Sequence, residues 1–184
     1  MRCSSRRVSN GVFHDLRFDL SGRPRPDFVL NQPPWTEARF LVVGPNFGCG
    51  SSREHAVWGL SQLGIRALIG TTFAGIFNDN CQRNGLLTIS LPADAIAQLA
   101  ERAANAADCH FEVDLPGQTI NCAGLTLGFQ IGAMQKDMMM RGLDAVTLTL
   151  EDAGSIRDFE RAHFAENPWL KPVEAARRHP SALS

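Results

Sequence analysis

The sequence of 184 residues has little net charge, no long apolar run and no cysteine pair at metal-binding spacing. Eighteen basic and 19 acidic residues give a formal net charge of −1, so the chain lacks the basic character of a domain that binds nucleic acid or an anionic membrane. No apolar run approaches the roughly 20 residues that span a bilayer. The basic first ten residues lack the apolar stretch of a secretory signal. We therefore expect a cytoplasmic protein with no nucleic-acid or membrane partner.

The cysteines are few and widely spaced, at Cys3, Cys49, Cys81, Cys109 and Cys122. No two of them form a CxxC pair, which argues against a disulfide framework, a zinc site or an iron–sulfur site within the chain. We expect reduced thiols, and no metal or cofactor bound by this chain itself.

The middle of the chain alternates between strand and helix patterns. Short apolar runs at 38–44, 65–69 and 86–91 are typical of buried strands. Between them, the apolar spacing at 51–63 and 71–84 predicts two helices. A strand–helix–strand–helix–strand order favours a parallel sheet with right-handed crossovers.

The second half of the chain begins with a helix and then changes to a period of two. Apolar residues alternate with polar ones from residue 110, and a Pro-Gly turn follows at 116–118. The sequence therefore predicts an α/β fold, with a mostly parallel central sheet and an additional antiparallel layer. The remaining predicted elements are helices at 93–106, 136–142 and 151–165, strands at 120–122 and 125–131, and a strand at 145–150.

The length suits one domain, for which we predict the boundaries 11–170. Residues 1–10 are expected to be a truncated or flexible N-terminal remnant. Residues 171–184 contain few apolar side chains, and we expect them to form a mobile tail.

The segment 44–55 is the candidate functional site, because it lies between a predicted strand and a predicted helix, where open α/β sheets bind ligands. Gly48 and Gly50 allow a ligand to approach the main chain closely. The amides at the start of the helix favour an anion. Arg53 adds a planar cation at the same helix end. Together these features predict a pocket for a carboxylate.

Two other interpretations of this segment remain open. Ser51 and Glu54 have the spacing of a capping box, in which Ser51 binds first-turn amides and Glu54 reaches back. Cys49, near a helix N-terminus, is a candidate reactive thiol with His55 as its base. His55 is more simply explained as a hydrogen-bonded structural histidine. The loop has no Walker lysine, no GxGxxG and no nucleophile-elbow spacing.

The segment from Asn46 to Ala56, followed by Trp58, resembles the signature of the isopropylmalate dehydratase small-subunit family. This family is the separate-chain form of the swivelling domain of aconitases. The resemblance extends over about residues 6–170. The other matching segments are Val12 to Phe18, Pro26 to Leu30, Phe73 to Phe77 and on to Asn80, Asn84 to Leu87, Gly142 to Asp144, and Thr147 to Thr149.

The resemblance implies a three-layer β/β/α swivelling domain that forms a heterodimer, or a larger complex, with a large subunit that holds a [4Fe–4S] cluster. The reaction it implies converts 2-isopropylmalate to 3-isopropylmalate by dehydration and rehydration, in leucine biosynthesis. By the family pattern, Ser51 would be the base, acting as an alkoxide. Arg53 would bind a substrate carboxylate, and Gly50 and Ser52 are predicted to bind the substrate with it. The amides of Gly50 and Ser52, together with Arg53, could also stabilise the serine anion.

The family usually opens with a strand and a Val-Asp-Thr-Asp-Gln-Ile-like segment, followed by a loop that helps to choose the substrate. This sequence begins beyond that segment, so we expect a misplaced start, a truncated gene or a diverged paralogue. Two alternatives therefore stay open. One is the small subunit of a hydratase acting on homoaconitate, citraconate or dimethylmalate, and the other is a truncated, non-catalytic assembly subunit.

Overall fold

The computed structural model describes residues 8–143 and 145–171. The chain divides into two compact units, the first ending at Ala145 and the second beginning at Val146, and each is described by itself. Most of the expected N-terminal remnant and of the expected tail lies outside the described residues. The domain boundaries stay a prediction.

The first unit opens with short helical turns. A 3-10 helix at Val8–Gly11 is followed by α1 at His14–Arg17. Two further 3-10 helices span Val29–Asn31 and Trp35–Glu37. The amide of Ser9 donates a hydrogen bond to Gln62 Oε1 (3.0 Å), which attaches the first turn to the helix that contains Gln62.

A parallel three-stranded sheet forms the centre of this unit. Its strands are β1 (Phe40–Val42), β2 (Ala67–Gly70) and β3 (Leu87–Ser90), in the order β1-β2-β3. Helix α2 (His55–Gln62) connects β1 to β2, and α3 (Gly75–Arg83) connects β2 to β3. Every residue of β2 is buried, as expected for a central strand covered on both faces. The predicted parallel sheet is confirmed.

Both connecting helices begin about four residues later than the sequence predicts. Residues 51–54 and 71–74 form loops beyond the carboxyl ends of β1 and β2 instead. Phe47, earlier in the segment between β1 and α2, bonds to the second of these loops: Phe47 N donates to Thr72 O (3.2 Å), and Ala74 N donates to Phe47 O (2.9 Å). These bonds hold the backbone of residues 72–74 outside the helix.

An antiparallel sheet forms the second layer. It contains β4 (Phe111–Asp114), β5 (Thr119–Cys122) and β6 (Leu125–Gly128), with Ile120 opposite both Val113 and Leu127. Ile120 and Cys122 are buried, whereas their neighbours on β5 are only partly covered. The predicted antiparallel layer is confirmed.

Two apolar cores lie on the two faces of the parallel sheet. On one face, Leu68 packs with Val57 of α2 and Phe77 of α3. On the other face, Ile69 and Ile89 pack with Leu99 and Ile120, which belong to α4 (Ala93–Ala104) and the antiparallel sheet. This arrangement of helices, parallel sheet and second sheet agrees with the three-layer β/β/α fold that the resemblance implies. Helix α5 (Ala133–Arg141) follows the second sheet.

The strand predicted at 145–150 is wrong, because Ala145–Glu151 forms helix α6. The alternating Val, Thr and Leu side chains suggest a strand, but a strand needs a partner for its backbone groups. The described residues of the second unit contain no strand with which 145–150 could pair. A helix, in contrast, forms its backbone hydrogen bonds within itself. The predicted helix after it is α7 (Ala153–Glu166), followed by a 3-10 helix at Pro168–Leu170. No helix in the described parts of the chain has the length and apolarity to cross a membrane.

We expect Leu99→Ala to lower the free energy of unfolding by about 2–5 kcal/mol, because Leu99 is fully buried between α4 and the sheets. Alanine keeps the helix propensity of α4 high, so the loss reports packing. Leu16→Ala in α1 is the control, since Leu16 is 57% exposed, and it should change stability by less than about 0.5 kcal/mol. Urea unfolding followed by circular dichroism measures both. Equal losses in the two variants would contradict this assignment of the core.

Candidate active site

The loop at residues 43–54 leaves the carboxyl end of β1 and lies beside the loop at 71–74 that follows β2. The first half of the longer loop is fixed by backbone contacts with Thr72. Asn46 N donates to Thr72 Oγ1 (2.7 Å), and Phe47 N donates to Thr72 O. The adjacent parallel strands therefore place this loop at the sheet edge where α/β proteins bind ligands.

Gly48 packs directly against α3. Its φ of +89° lies in the left-handed region that favours glycine, and a Cβ atom at this position would overlap the Phe77 ring. The Phe47 and Phe77 rings also meet edge to face, with centroids 5.6 Å apart. A side chain at residue 48 would push the loop away from α3.

Ser51 lies at the start of the second half of the loop. Its half-buried hydroxyl accepts a hydrogen bond from Arg53 N (3.2 Å), and its own amide donates to Gly48 O (3.4 Å). The backbone N–H groups of Gly50 and Ser52 have no acceptor within the described residues. These features leave a hydroxyl and two amide donors close together on a short stretch of chain.

The predicted capping box is wrong. Helix α2 begins at His55, so Ser51 lies too far upstream to be its N-cap, and no side chain of the described residues caps this helix end. Glu54 does not reach back toward Ser51. Its Oε1 atom instead accepts a hydrogen bond from Asn84 Nδ2 at the end of α3 (2.7 Å).

A cavity of about 490 Å³ opens beside the loop. Gly50, Ser51, Arg53 and His55 form its polar side, so the structure brings together three of the four predicted site residues. Ser52 does not line the cavity; it is exposed, and its carbonyl accepts a hydrogen bond from Asn80 Nδ2 (3.4 Å). The rest of the wall is mainly apolar, formed by Val12, Phe13, Phe47, Ala56, Leu60 and Phe77.

Arg53 is the principal charge at the cavity. Some arginines of the chain pair with acids, such as Arg23 with Asp19 and Arg25 with Asp27, whereas others such as Arg39 and Arg83 do not within the described parts of the chain. Among the described residues, the Arg53 guanidinium has neither an acidic partner nor a hydrogen-bond acceptor. Beside helix amides, such an unpaired cation is suited to bind an anionic ligand.

Cys49 has no base positioned to activate it as a reactive thiol among the described residues. Cys49 is exposed, and no hydrogen bond within the described chain connects its thiol to His55. The expected structural hydrogen bond of His55 is also wrong within the described residues, because the exposed His55 ring packs against Trp58 instead, with centroids 4.7 Å apart. Burial raises the pKa of the Cys81 thiol to about 12, so this cysteine is not a nucleophile at neutral pH.

Four cysteines are described, and all four are free thiols. Within residues 8–143 and 145–171, no group of three His, Cys, Asp or Glu side chains is placed to hold a metal ion. The [4Fe–4S] cluster that the resemblance implies belongs to the large subunit.

Two sequence-family models match the chain. Residues 5–94 match the aconitase C-terminal domain, and residues 146–173 match the C-terminal domain of the 3-isopropylmalate dehydratase small subunit. The fold, the loop after β1 and the first match together define the class of the protein: an aconitase-type C-terminal domain.

Individual relatives narrow the class. A 3-isopropylmalate dehydratase small subunit 1 from Mannheimia succiniciproducens is 55% identical over 164 residues, covering 89% of this chain and 81% of that protein. A small subunit 2 from Salmonella typhimurium is 54% identical, covering 89% and 79%. The crystal structure of a 3-isopropylmalate dehydratase (leuD) from Methanocaldococcus jannaschii is 29% identical, with a TM-score of 0.51, and covers 66% of this chain and 70% of that chain. The chain belongs to the 3-isopropylmalate dehydratase small-subunit family.

Sequence reasoning assigned no role to three residues that hold the loop: Thr72, Asn80 and Asn84. All three act through hydrogen bonds to residues 26–30 positions away in the sequence. Asn80 and Asn84 lie within segments that match the family, four residues apart and hence on one face of α3. The four-residue spacing of the two asparagines is the signal that the sequence offers, but it does not identify Ser52 and Glu54 as the residues that they bind.

We expect Gly48→Ala to destabilise the chain by about 1–3 kcal/mol, because alanine is strained at positive φ and its Cβ would overlap Phe77. Gly44→Ala is the matched control, since Gly44 has an ordinary φ and open space around its Cβ position. Thermal unfolding of the two variants measures the difference. A Gly48→Ala protein as stable as Gly44→Ala would show that the loop does not depend on the close packing of Gly48 against Phe77.

Proposed function

We propose that this chain is the small subunit of a hydro-lyase that isomerises 2-isopropylmalate to 3-isopropylmalate in leucine biosynthesis, working in the cytoplasm with a large subunit. Membership of the small-subunit family supports the reaction and the partner. The observation that carries the proposal is that Ser51 and Arg53, whose guanidinium has no acidic partner among the described residues, line the same mainly apolar cavity.

Ser51 is the proposed base. Dehydration removes a proton from the carbon beside a carboxylate and a hydroxyl from the neighbouring carbon, and rehydration returns them in exchanged positions. Ser51, as an alkoxide, takes the proton and later returns it. Serine is a poor base until its anion is stabilised, and the nearby amides of Gly50 and Ser52 and the Arg53 cation supply that stabilisation.

Arg53 is the proposed carboxylate ligand. Its planar guanidinium can donate two parallel hydrogen bonds to a carboxylate, which fixes the orientation of the substrate as well as its charge. The same cation offsets the negative charge that develops on the substrate when its proton is removed. The [4Fe–4S] cluster that we expect on the large subunit supplies the Lewis acid for the departing hydroxyl.

The cavity wall favours a branched apolar substituent over a third carboxylate. Aliphatic and aromatic side chains form most of the wall, and Arg53 is the sole lysine or arginine among its described residues. A tricarboxylate such as homoaconitate would bring one more carboxylate than 2-isopropylmalate to a wall with a single cation, at a cost in desolvation. Citraconate and dimethylmalate have smaller apolar groups and would fill less of the cavity.

We expect Ser51→Ala to lower turnover at least about 100-fold, because removing a general base that works among preorganised donors removes effects of that size. The measurement is anaerobic turnover of 3-isopropylmalate by this chain with a reconstituted large subunit, together with a pull-down that checks assembly. Cys49→Ala is the matched control: it changes an exposed loop residue and should keep turnover, which also tests the thiol interpretation.

Normal turnover in Ser51→Ala would show that another group is the base. If the wild-type chain formed a stable complex without turnover, even with the other hydroxy-dicarboxylates, the non-catalytic assembly role would be the better interpretation. Without complex formation, the small-subunit role itself would be wrong.

We expect Arg53→Lys to raise KM about tenfold or more, because lysine keeps the charge but loses the planar pair of donors. Arg23→Lys is the control, since Arg23 pairs with Asp19 on the exposed surface and takes no part in the cavity. Steady-state kinetics of both variants in the mixture with the large subunit provide the comparison. An unchanged KM in Arg53→Lys would argue against a carboxylate bound at this side chain.

A further inference from the structure

The side chain of Asn84 is at the centre of a hydrogen-bond network behind the candidate active site. Its Nδ2 atom donates to Glu54 Oε1 (2.7 Å) and to Asn80 O (2.8 Å), and its Oδ1 atom accepts from Trp58 Nε1 (2.8 Å). A carboxylate and a carbonyl only accept, and an indole N–H only donates, so a flipped amide would lose all three bonds. The partners therefore fix the orientation of the Asn84 amide.

This network determines where the Glu54 carboxylate lies. Glu54 directly follows Arg53 and is three residues from Ser51, so two other arrangements are within its reach. It could pair with the Arg53 cation, or it could reach back to the loop amides as in a capping box. The structure shows neither, because Glu54 is bound to Asn84 at the end of α3 and does not line the cavity.

Asn80 holds the adjoining peptide from the same helix. It is only 9% exposed, and its Nδ2 atom donates to Ser52 O. Asn80 on α3 and Asn84, which directly follows the helix, thus contact the backbone at Ser52 and the side chain of Glu54. The stretch between these contacts contains Arg53, which lines the cavity.

We propose that Asn84 is a positioning residue that keeps the Glu54 carboxylate away from the anion site, so that Arg53 and the loop amides stay available to a substrate carboxylate. An intramolecular carboxylate competes at an effective concentration of about millimolar or more, which is enough to displace a weakly bound substrate. This inference rests on the proposed function for the identity of the anion, and on the hydrogen bonds above for the mechanism.

The test uses Asn84→Ala, Asn84→Ala/Glu54→Ala and, as a matched control, Asn121→Ala, whose side chain bonds Thr126 in the antiparallel sheet. Malonate is titrated into each isolated chain while the amide resonances of residues 50–53 and the Arg53 Nε resonance are followed by NMR. We expect Asn84→Ala to raise the malonate Kd about tenfold, as a charge-assisted competitor implies. The double variant should return to within about threefold of the wild-type value, and Asn121→Ala should not differ from wild type.

The double variant separates positioning from simple support. If Asn84 only stabilised the loop, removing Glu54 as well would leave binding as weak or weaker. The same pattern is expected for turnover by this chain with the large subunit. Asn84→Ala raises KM with little change in kcat, and adding Glu54→Ala lowers KM again.

An unchanged malonate Kd in Asn84→Ala, a double variant that binds as weakly as Asn84→Ala, or a wild-type chain that does not bind malonate would each overturn the inference. Failure of the proposed function gives a different result. In that case the mixture does not turn over 3-isopropylmalate, while the malonate affinities still follow the expected pattern.

Discussion

The candidate site depends on the attachment of the loop after β1 to the loop after β2. Parallel pairing of β1 and β2 brings the two loops together, and the hydrogen bonds of Asn46 and Phe47 with Thr72 fix the first half of the site loop. Close packing of Gly48 on Phe77 then sets its distance from α3. The positions of Ser51 and Arg53 follow from these contacts, although both residues lie in an irregular segment.

The two cores hold this edge of the sheet from opposite sides. Buried residues of α2 and α3 cover one face of β2, and α4 with the antiparallel sheet covers the other. A site on a loop is well positioned only when the elements next to it are rigid. Here α3 meets that need directly, because the same helix that packs on the sheet through Phe77 and Cys81 carries Asn80 and Asn84 to the loop.

The sequence predicts the parallel sheet, the antiparallel layer and the location of the site, because these follow from local patterns such as the apolar runs and the glycine-rich segment after β1. The prediction fails where contacts between residues far apart in the sequence determine the local structure. The helix start predicted at 71 is wrong because the 71–74 loop bonds to Phe47. The start predicted at 51 and the capping box are wrong where Asn80 and Asn84 bind Ser52 and Glu54 from about 30 residues away. Residues 145–150 alternate like a strand but have no strand partner among the described residues of the second unit.

The charge arrangement around α2 supports the proposed anion site. A cation at a helix N-terminus is unfavourable, and an acid there is favourable. The chain has an acid at Glu54, next to Arg53, yet the structure binds it to Asn84 and leaves the guanidinium without an acidic partner among the described residues. Local arrangements that give up such stabilisation are typical of functional sites, and the carboxylate proposed above would supply a partner for the Arg53 guanidinium.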